Sequence, residues 1–483
     1  MIKRSKNEKA GLPRRKAGAI LILVLVFGSI FVLLMTGLFG FILTQYRHTL
    51  QKAAWEQSLH IAEAGINYYR WCLNHEMEES CSLEMDYYDT SGNPLGGFSL
   101  TDSSTAESCG QTVQREITSI GRTDAYPEAQ RAIKILYART SIAKYSYILN
   151  SNVWVGDDHE IRGSYHSNGG IRMDGENQSV VSSASPNGEW ICTSSFGCSS
   201  CPVDDGCWID GSDCKCPGVF TTTNNAKPDL FEYPVPSFNF EGITVDLARM
   251  KTAAQTGGGV YLEPSINKNP SGKGYHLKFK NNGTFEVWII TGLSPTYAYS
   301  LEEGWHYDYF TISREHLYNT YSIPSACSAI FVEDNLWPEG VVKGKVVTAS
   351  ADLLDSNKDT DIVLAGNINY SVKDGSDGLT LLSQRNVLIG PQSPDRMELR
   401  GIFVAQKGRF SRNHYWWNFR EKLEIYGSII SNGRVGTKWI SGSTVVSGYR
   451  ERESYFDANL VYNPPPFTPF IDEDFKLLRW QEI

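Results

Sequence analysis

The spacing of apolar positions changes along this chain. From Ala17 to Thr44 no side chain is charged, and these 28 residues at about 1.5 Å each span about 42 Å, more than the roughly 30 Å core of a bilayer. The run predicts a membrane-spanning helix; it exceeds the apolar core of a secretory signal and lacks that signal's small-x-small cleavage site. Beyond it the pattern turns amphipathic: Trp55, Leu59, Ala62, Ile66, Tyr69 and Leu73 recur every three or four residues, with Gln57, Glu63, Asn67 and Arg70 off that stripe. No proline interrupts residues 17–75, so one continuous helix of up to about 85 Å is expected.

Past residue 75 the period becomes two. Residues 116–122 and 130–136 read as short strands flanking a turn at Pro127, within a small α/β region over 76–145. The larger part of the chain is self-similar. Ile161-Arg162-Gly163-Ser164-Tyr165-His166-Ser167-Asn168-Gly169 and Ile425-Tyr426-Gly427-Ser428-Ile429-Ile430-Ser431-Asn432-Gly433 share Ile-x-Gly-Ser-x-x-Ser-Asn-Gly, and a looser copy runs from Leu399 to Gly408. Alternating apolar residues would face an interior, while Gly and Asn permit the bends between rungs. One rung cannot bury its own face, so copies in 146–230 and 336–462 are expected to stack in one β-solenoid, with a β-sandwich as the alternative.

Between them, residues 231–335 read as an inserted α/β subdomain, with a helix over 243–254 and a hairpin turning at Asn281-Asn282-Gly283. Residues 463–483, with Pro464, Pro465, Pro466 and Pro469, read as an extended tail outside the core. The fold class expected is α+β, mainly β: an N-terminal helix over 19–75 and an extracytoplasmic solenoid head.

Charge orients this plan. Residues 1–16 carry seven cations and one carboxylate, leaving a net −15 on the rest of the chain. The basic end belongs in the cytoplasm and the body outside, by the positive-inside rule. A body so acidic is not expected to partner nucleic acid. Ten cysteines suit an oxidising compartment. Six of them, Cys192, Cys198, Cys201, Cys207, Cys214 and Cys216, fall in one loop rich in Pro, Asp and Gly. That loop reads as disulfide-stapled, although four of its thiols could also hold zinc, and the pairing stays open among fifteen possibilities.

The basic stretch Arg14-Arg15-Lys16-Ala17-Gly18, the apolar run after it and the helical Ala62-Glu63-Ala64-Gly65 resemble the N-terminal domain of PilX-like minor pilins of type IV pilus systems. The resemblance covers roughly the first 75 residues. It implies that 1–18 is a leader, cut between Gly18 and Ala19 by a prepilin peptidase, and that the helix contacts other pilins or pilus-assembly proteins. It also implies a single-pass protein of the cytoplasmic membrane, reaching the pilus or cell surface. Major pilins usually carry Glu at the fifth mature position; Leu23 stands there, a departure that fits the looser PilX-like group.

No phosphate-binding loop, dinucleotide fingerprint, His-Glu-x-x-His or Gly-x-Ser-x-Gly is present, and no enzymatic role or cofactor is expected. Asp355, Asn357, Asp359 and Asp361 place oxygens at alternate positions, a possible Ca²⁺ loop, but Thr360 replaces the turn glycine and Gly366 the closing Glu. A solvated acidic loop is the preferred reading. Tyr415, Trp416 and Trp417 set flat rings beside polar groups and are the ligand-contact candidates. The expectation is a non-enzymatic minor-pilin-like subunit for pilus assembly or surface interaction. The alternative is an anchored β-helix surface protein outside any filament, an adhesin or a polysaccharide-acting enzyme.

Overall fold

The computed structural model describes residues 17–75, 81–104, 107–240, 247–442, 444–471 and 474–483. The basic stretch 1–16 lies outside them, and Gly18 and Ala19 fall in the first turn of the helix α1 (Ala17–Asn74). This helix is unbroken for 58 residues, about 87 Å. From 20 to 49 every side chain except Met35 is exposed, and α1 is the one helix among the described residues long and apolar enough to cross a membrane.

The second half of α1 has a partner. A five-stranded antiparallel sheet, in the order Glu84–Tyr88, Pro94–Ser104, Gln114–Thr123, Gln130–Ala138 and Lys476–Glu482, lies against it. Ala62, Ile66, Tyr69 and Leu73 are buried against Phe98, Ile117, Ile133 and Tyr137. Two glycines let the layers approach: a Cβ on Gly65 would stand 2.5 Å from Ser119 Oγ, and one on Gly121 would stand 2.0 Å from the Ser58 carbonyl. Trp55 departs from the expected stripe and is exposed, its ring covered only by the Arg131 guanidinium at 5.3 Å. Its neighbours Ala54 and Ser58 are buried, so the covered face of α1 passes beside it.

The C-terminal tail also departs from expectation. Lys476–Glu482 is the fifth strand of this sheet, Phe475 is in its core, and Pro464, Pro465, Pro466 and Phe467 are buried against the body. Proline lacks a donor but packs as readily as any apolar ring, so a proline-rich segment can cross a core surface without hydrogen-bonding to it.

The body is mostly β, with parallel strands stacked in ladders. The first ladder runs through Val260–Leu262, Ala329–Val332, Lys345–Ser350, Gly378–Ser383, the C-terminal halves of Arg396–Ala405 and Phe419–Ser431, then Tyr145–Leu149, Ser164–Ser167, Val181–Ser183 and Phe231–Glu232. A second joins Tyr275–Phe279, Leu336–Val342, Ile368–Tyr370, the N-terminal halves of Arg396–Ala405 and Phe419–Ser431, Thr444–Tyr455, His159–Ile161 and Glu176–Asn177. A third is interrupted: Ile362–Leu364, Val387–Ile389 and Phe410–Ser411 reach Gly436 through one bridge, and Val153–Val155, Ile171–Met173 and Val219–Phe220 form a separate sheet. Apolar side chains from all three, among them Val153, Ile161, Leu277, Ile362, Leu399 and Ile429, share one core.

The repeat has a spatial meaning. Ile425 and Ile161 both pair with Ser454, and Ile430 and His166 both pair with Ile148, so equivalent positions stand two rungs apart in one file. His166 is buried there, its Nδ1 2.9 Å from Ser182 Oγ and its Nε2 3.1 Å from Asn168 Oδ1.

Residues 231–335 do not stand apart as a subdomain. Val260–Leu262 and Tyr275–Phe279 are rungs of the two long ladders, and Leu262, Leu277, Phe285 and Val287 belong to the shared core. The helix in this segment is Leu247–Thr256; residues 241–246 of the stretch expected to be helical lie outside the described residues.

Candidate functional site

The hairpin expected at Asn281-Asn282-Gly283 forms between Tyr275–Phe279 and Thr284–Ser300, and a second, longer hairpin follows it. Thr284–Ser300 returns as Gly304–Ser322, and the two strands pair over nearly their whole length. Alternation along the second strand puts Trp305, Tyr307 and Tyr309 at positions of one parity, and all three are exposed. Across the pair Tyr297 faces Tyr307 and Tyr299 faces Trp305 in register, with ring centroids 5.2 and 5.3 Å apart; Tyr297 also stacks on Trp305 at 5.1 Å.

The tip of this hairpin meets the aromatic segment singled out in the sequence. Ala298 pairs with Tyr415 and Tyr299 with His414 in an antiparallel bridge. His414 links the two sets of rings, 5.6 Å from Trp305, 5.8 Å from Trp439 and 6.1 Å from Trp416. Trp416 and Trp417 follow at 6.3 Å with their planes at 86°, and they are 69% and 73% exposed. Rings from three separated stretches of chain thus form one continuous platform.

The loop carrying Trp416 and Trp417 is held, not loose. Trp417 adopts φ +53°, a left-handed conformation unfavourable for a bulky residue, and persists only because its surroundings impose it. Asn418 supplies much of that constraint: its carbonyl accepts from Gly448 N–H at 3.0 Å and its Nδ2 donates to the Pro391 carbonyl at 3.1 Å. The fully buried Arg412 donates to Asn418 Oδ1 and lies 4.9 Å over the Tyr415 ring. Burial draws the Arg412 guanidinium down to about 10.

Of the three ligand-contact candidates, Tyr415 is placed in the interior. Its hydroxyl donates to Asp308 Oδ2 at 2.9 Å, and burial, then that carboxylate, holds its pKa well above the usual phenol value. Asp308 also accepts from Asn413 Nδ2 at 2.8 Å and contacts His306 Nε2 at 2.9 Å, tying hairpin to loop. Tyr297, Trp305, Tyr307 and Trp439 went unselected in the sequence. The alternation Trp305-x-Tyr307-x-Tyr309 was the available signal, but the partner strand that gives it meaning lies outside the short hairpin the turn residues predict.

The acidic loop does not converge on a cation. Asp361 is bound by Arg385 and by Asn386, Asp359 by Lys407 at 2.6 Å, and Asp355 accepts from Asn357 N–H and lies 3.7 Å from Lys358. The six loop cysteines pair as Cys192–Cys198, Cys201–Cys214 and Cys207–Cys216, and Cys72–Cys81 and Cys109–Cys327 complete the set. Cys207, Cys214 and Cys216 are the one cluster of metal-binding residue types among the described residues, and each is in a disulfide.

No protein-family model matches the chain, and none of the curated proteins compared with it matches. Among solved structures, the competence-associated pilin ComZ from Thermus thermophilus aligns with 89% of this chain and 98% of its own, at 10% identity and a TM-score of 0.29. At that score the likeness carries no argument, and the resemblance to PilX-like minor pilins rests on the residues quoted for it.

Proposed function

We propose that this chain is a membrane-anchored, pilin-like surface subunit without catalytic activity, which holds α1 in the bilayer and carries its β body and aromatic platform outside. The observation that supports it best is the division of α1: an exposed, uncharged and mainly apolar run from Ile20 to Thr44, followed without a break by a stripe clamped under an antiparallel sheet. A helix so divided has one half available to lipid or to neighbouring helices and one half fixed to a head. In this reading the leader is removed between Gly18 and Ala19 by a prepilin peptidase, and the freed apolar half packs among other pilins.

The body is read as a β-solenoid. Support comes from the uniform parallel sense of the ladders and from the two-rung offset of the repeat. Such a stack is a stiff, quasi-one-dimensional spacer, suited to displaying a platform away from a membrane. The non-enzymatic reading is supported by two carboxylates near the platform: Asp308 is committed to three side chains and Asp158 to Arg452 and Lys438.

A second reading keeps the anchor and drops the filament: an unprocessed adhesin or polysaccharide-acting protein. Mass spectrometry of the mature N-terminus from native membranes separates the two, with Gly18→Val alongside. A chain beginning at Ala19, and lost in Gly18→Val, supports prepilin processing. An intact leader sinks it and leaves a permanently anchored surface protein.

A further inference from the structure

The interruption of the third ladder leaves an opening. Where Gly436 should hand on to Val153–Val155 no backbone pairing occurs among the described residues, and a cleft of about 280 Å³, lined by Trp154, Arg434 and Gly436, opens beside the gap. One wall is Trp439, which also belongs to the aromatic platform through Tyr299 and His414. The cleft and the platform are therefore continuous.

The cleft holds an imbalance of charge. Arg409 is paired with Glu302 at 3.0 Å, while Asp158 is shared between Arg452 at 2.7 Å and Lys438 at 3.2 Å. Arg434 makes no ion pair within 4 Å among the described residues, and the Glu302 carboxylate attracts it only from farther off. Its guanidinium stacks 4.6 Å over Phe196 and donates to the Ser195 carbonyl at 2.7 Å, which leaves most of its fork free in a half-buried site. A planar cation already stacked and oriented needs little further ordering to receive a carboxylate bidentately.

We infer that the cleft and platform together bind an acidic polysaccharide, with Arg434 taking the carboxylate of a uronate residue and the exposed Trp and Tyr faces taking adjacent sugar rings. Flat aromatic faces bury the apolar faces of pyranose rings, and the rim carboxylates Asp157 and Glu302 accept from sugar hydroxyls. That last feature separates sugar from nucleic acid, whose phosphodiesters offer only acceptors and a charge every few ångströms against an acidic body. One unpaired guanidinium suits a chain whose charges are sparse.

The inference requires only that the head face the exterior; leader processing has no bearing on the measurement. The full chain in nanodiscs is titrated with an oligosaccharide of alternating glucuronate and N-acetylglucosamine, with its carboxyl-reduced counterpart, and with a single-stranded DNA oligomer of similar length. The uronate form is expected to bind at least about tenfold more tightly than the reduced form. Arg434→Met should abolish that preference, and Trp305→Ala should weaken both sugars. Melting temperature is followed for each variant, and Arg434→Lys, which keeps charge without the fork, should retain an intermediate preference. Equal affinity for the two sugars, undiminished preference in Arg434→Met, tighter binding of DNA, or no saturable sugar binding would each overturn the proposal.

Discussion

Asn150 donates from Nδ2 to Oδ1 of Asn432 at 2.8 Å across 282 residues of chain, and Asn168 donates to Asn150 Oδ1 at 2.7 Å. Asn168 and Asn432 are the asparagines of the two Ser-Asn-Gly copies, so the file records where the N-terminal rungs seat on the C-terminal ones. Stacked turn amides of this kind fix rung register at a point where the backbone alone would tolerate slippage.

Two substitutions in this stack should differ sharply. Asn150→Ala removes two exposed amide bonds and should cost about 1 kcal/mol. Gly427→Ala asks for φ +138° and puts a Cβ 2.0 Å from the Gly401 carbonyl, and should cost roughly 3 kcal/mol or more. Denaturant midpoints of the two variants measure the contrast; a Gly427→Ala cost as small as that of Asn150→Ala would refute the close-stacked rungs.

The Cys109–Cys327 bond ties the N-terminal region to the body across 218 residues. On the chain-entropy account, opening so long a loop costs about 5 kcal/mol. Cys109→Ser with Cys327→Ser should therefore lower the melting temperature far more than Cys72→Ser with Cys81→Ser, whose separation is 9. Calorimetry of the two double variants tests the ranking.

Arg412 is buried and touches no carboxylate among the described residues. Replacing it by Met relieves a desolvation cost while freeing Asn418, so global stability should change by less than about 2 kcal/mol. The loop 413–419 should nevertheless exchange amide hydrogens at least about tenfold faster. Unchanged exchange would mean that Arg412 does not hold the exposed tryptophans.

His159 is buried, with Nε2 2.9 Å from Ser454 Oγ, and desolvation followed by the nearby Arg452 lowers it to about 3. Between pH 6.5 and 3 the unfolded chain holds a proton there that the folded chain does not, so stability falls as pH falls. The contribution from this group between pH 6.5 and 4.5 is about 2 kcal/mol. His159→Gln should flatten the acid side of the stability curve by that amount; parallel curves for the two proteins would exclude it.

Several features were legible in the sequence because they are local. The uncharged run and the stripe after it specify α1, the alternation around Pro127 specifies two strands of the N-terminal sheet, and the Ser-Asn-Gly copies mark equivalent turns. A repeat says that two segments share a shape, but every rung presents similar edges, so it does not say which rung follows which. Only the tertiary structure decided that Tyr145–Leu149 docks beside Phe419–Ser431, and that Lys476–Glu482 returns to the N-terminal sheet. The long-range Cys109–Cys327 bond and the meeting of the hairpin tip with His414 and Tyr415 belong to that tertiary order as well. Parallel pairing between distant rungs is won by the burial of a shared core, and that quantity belongs to the whole stack and to no segment of it.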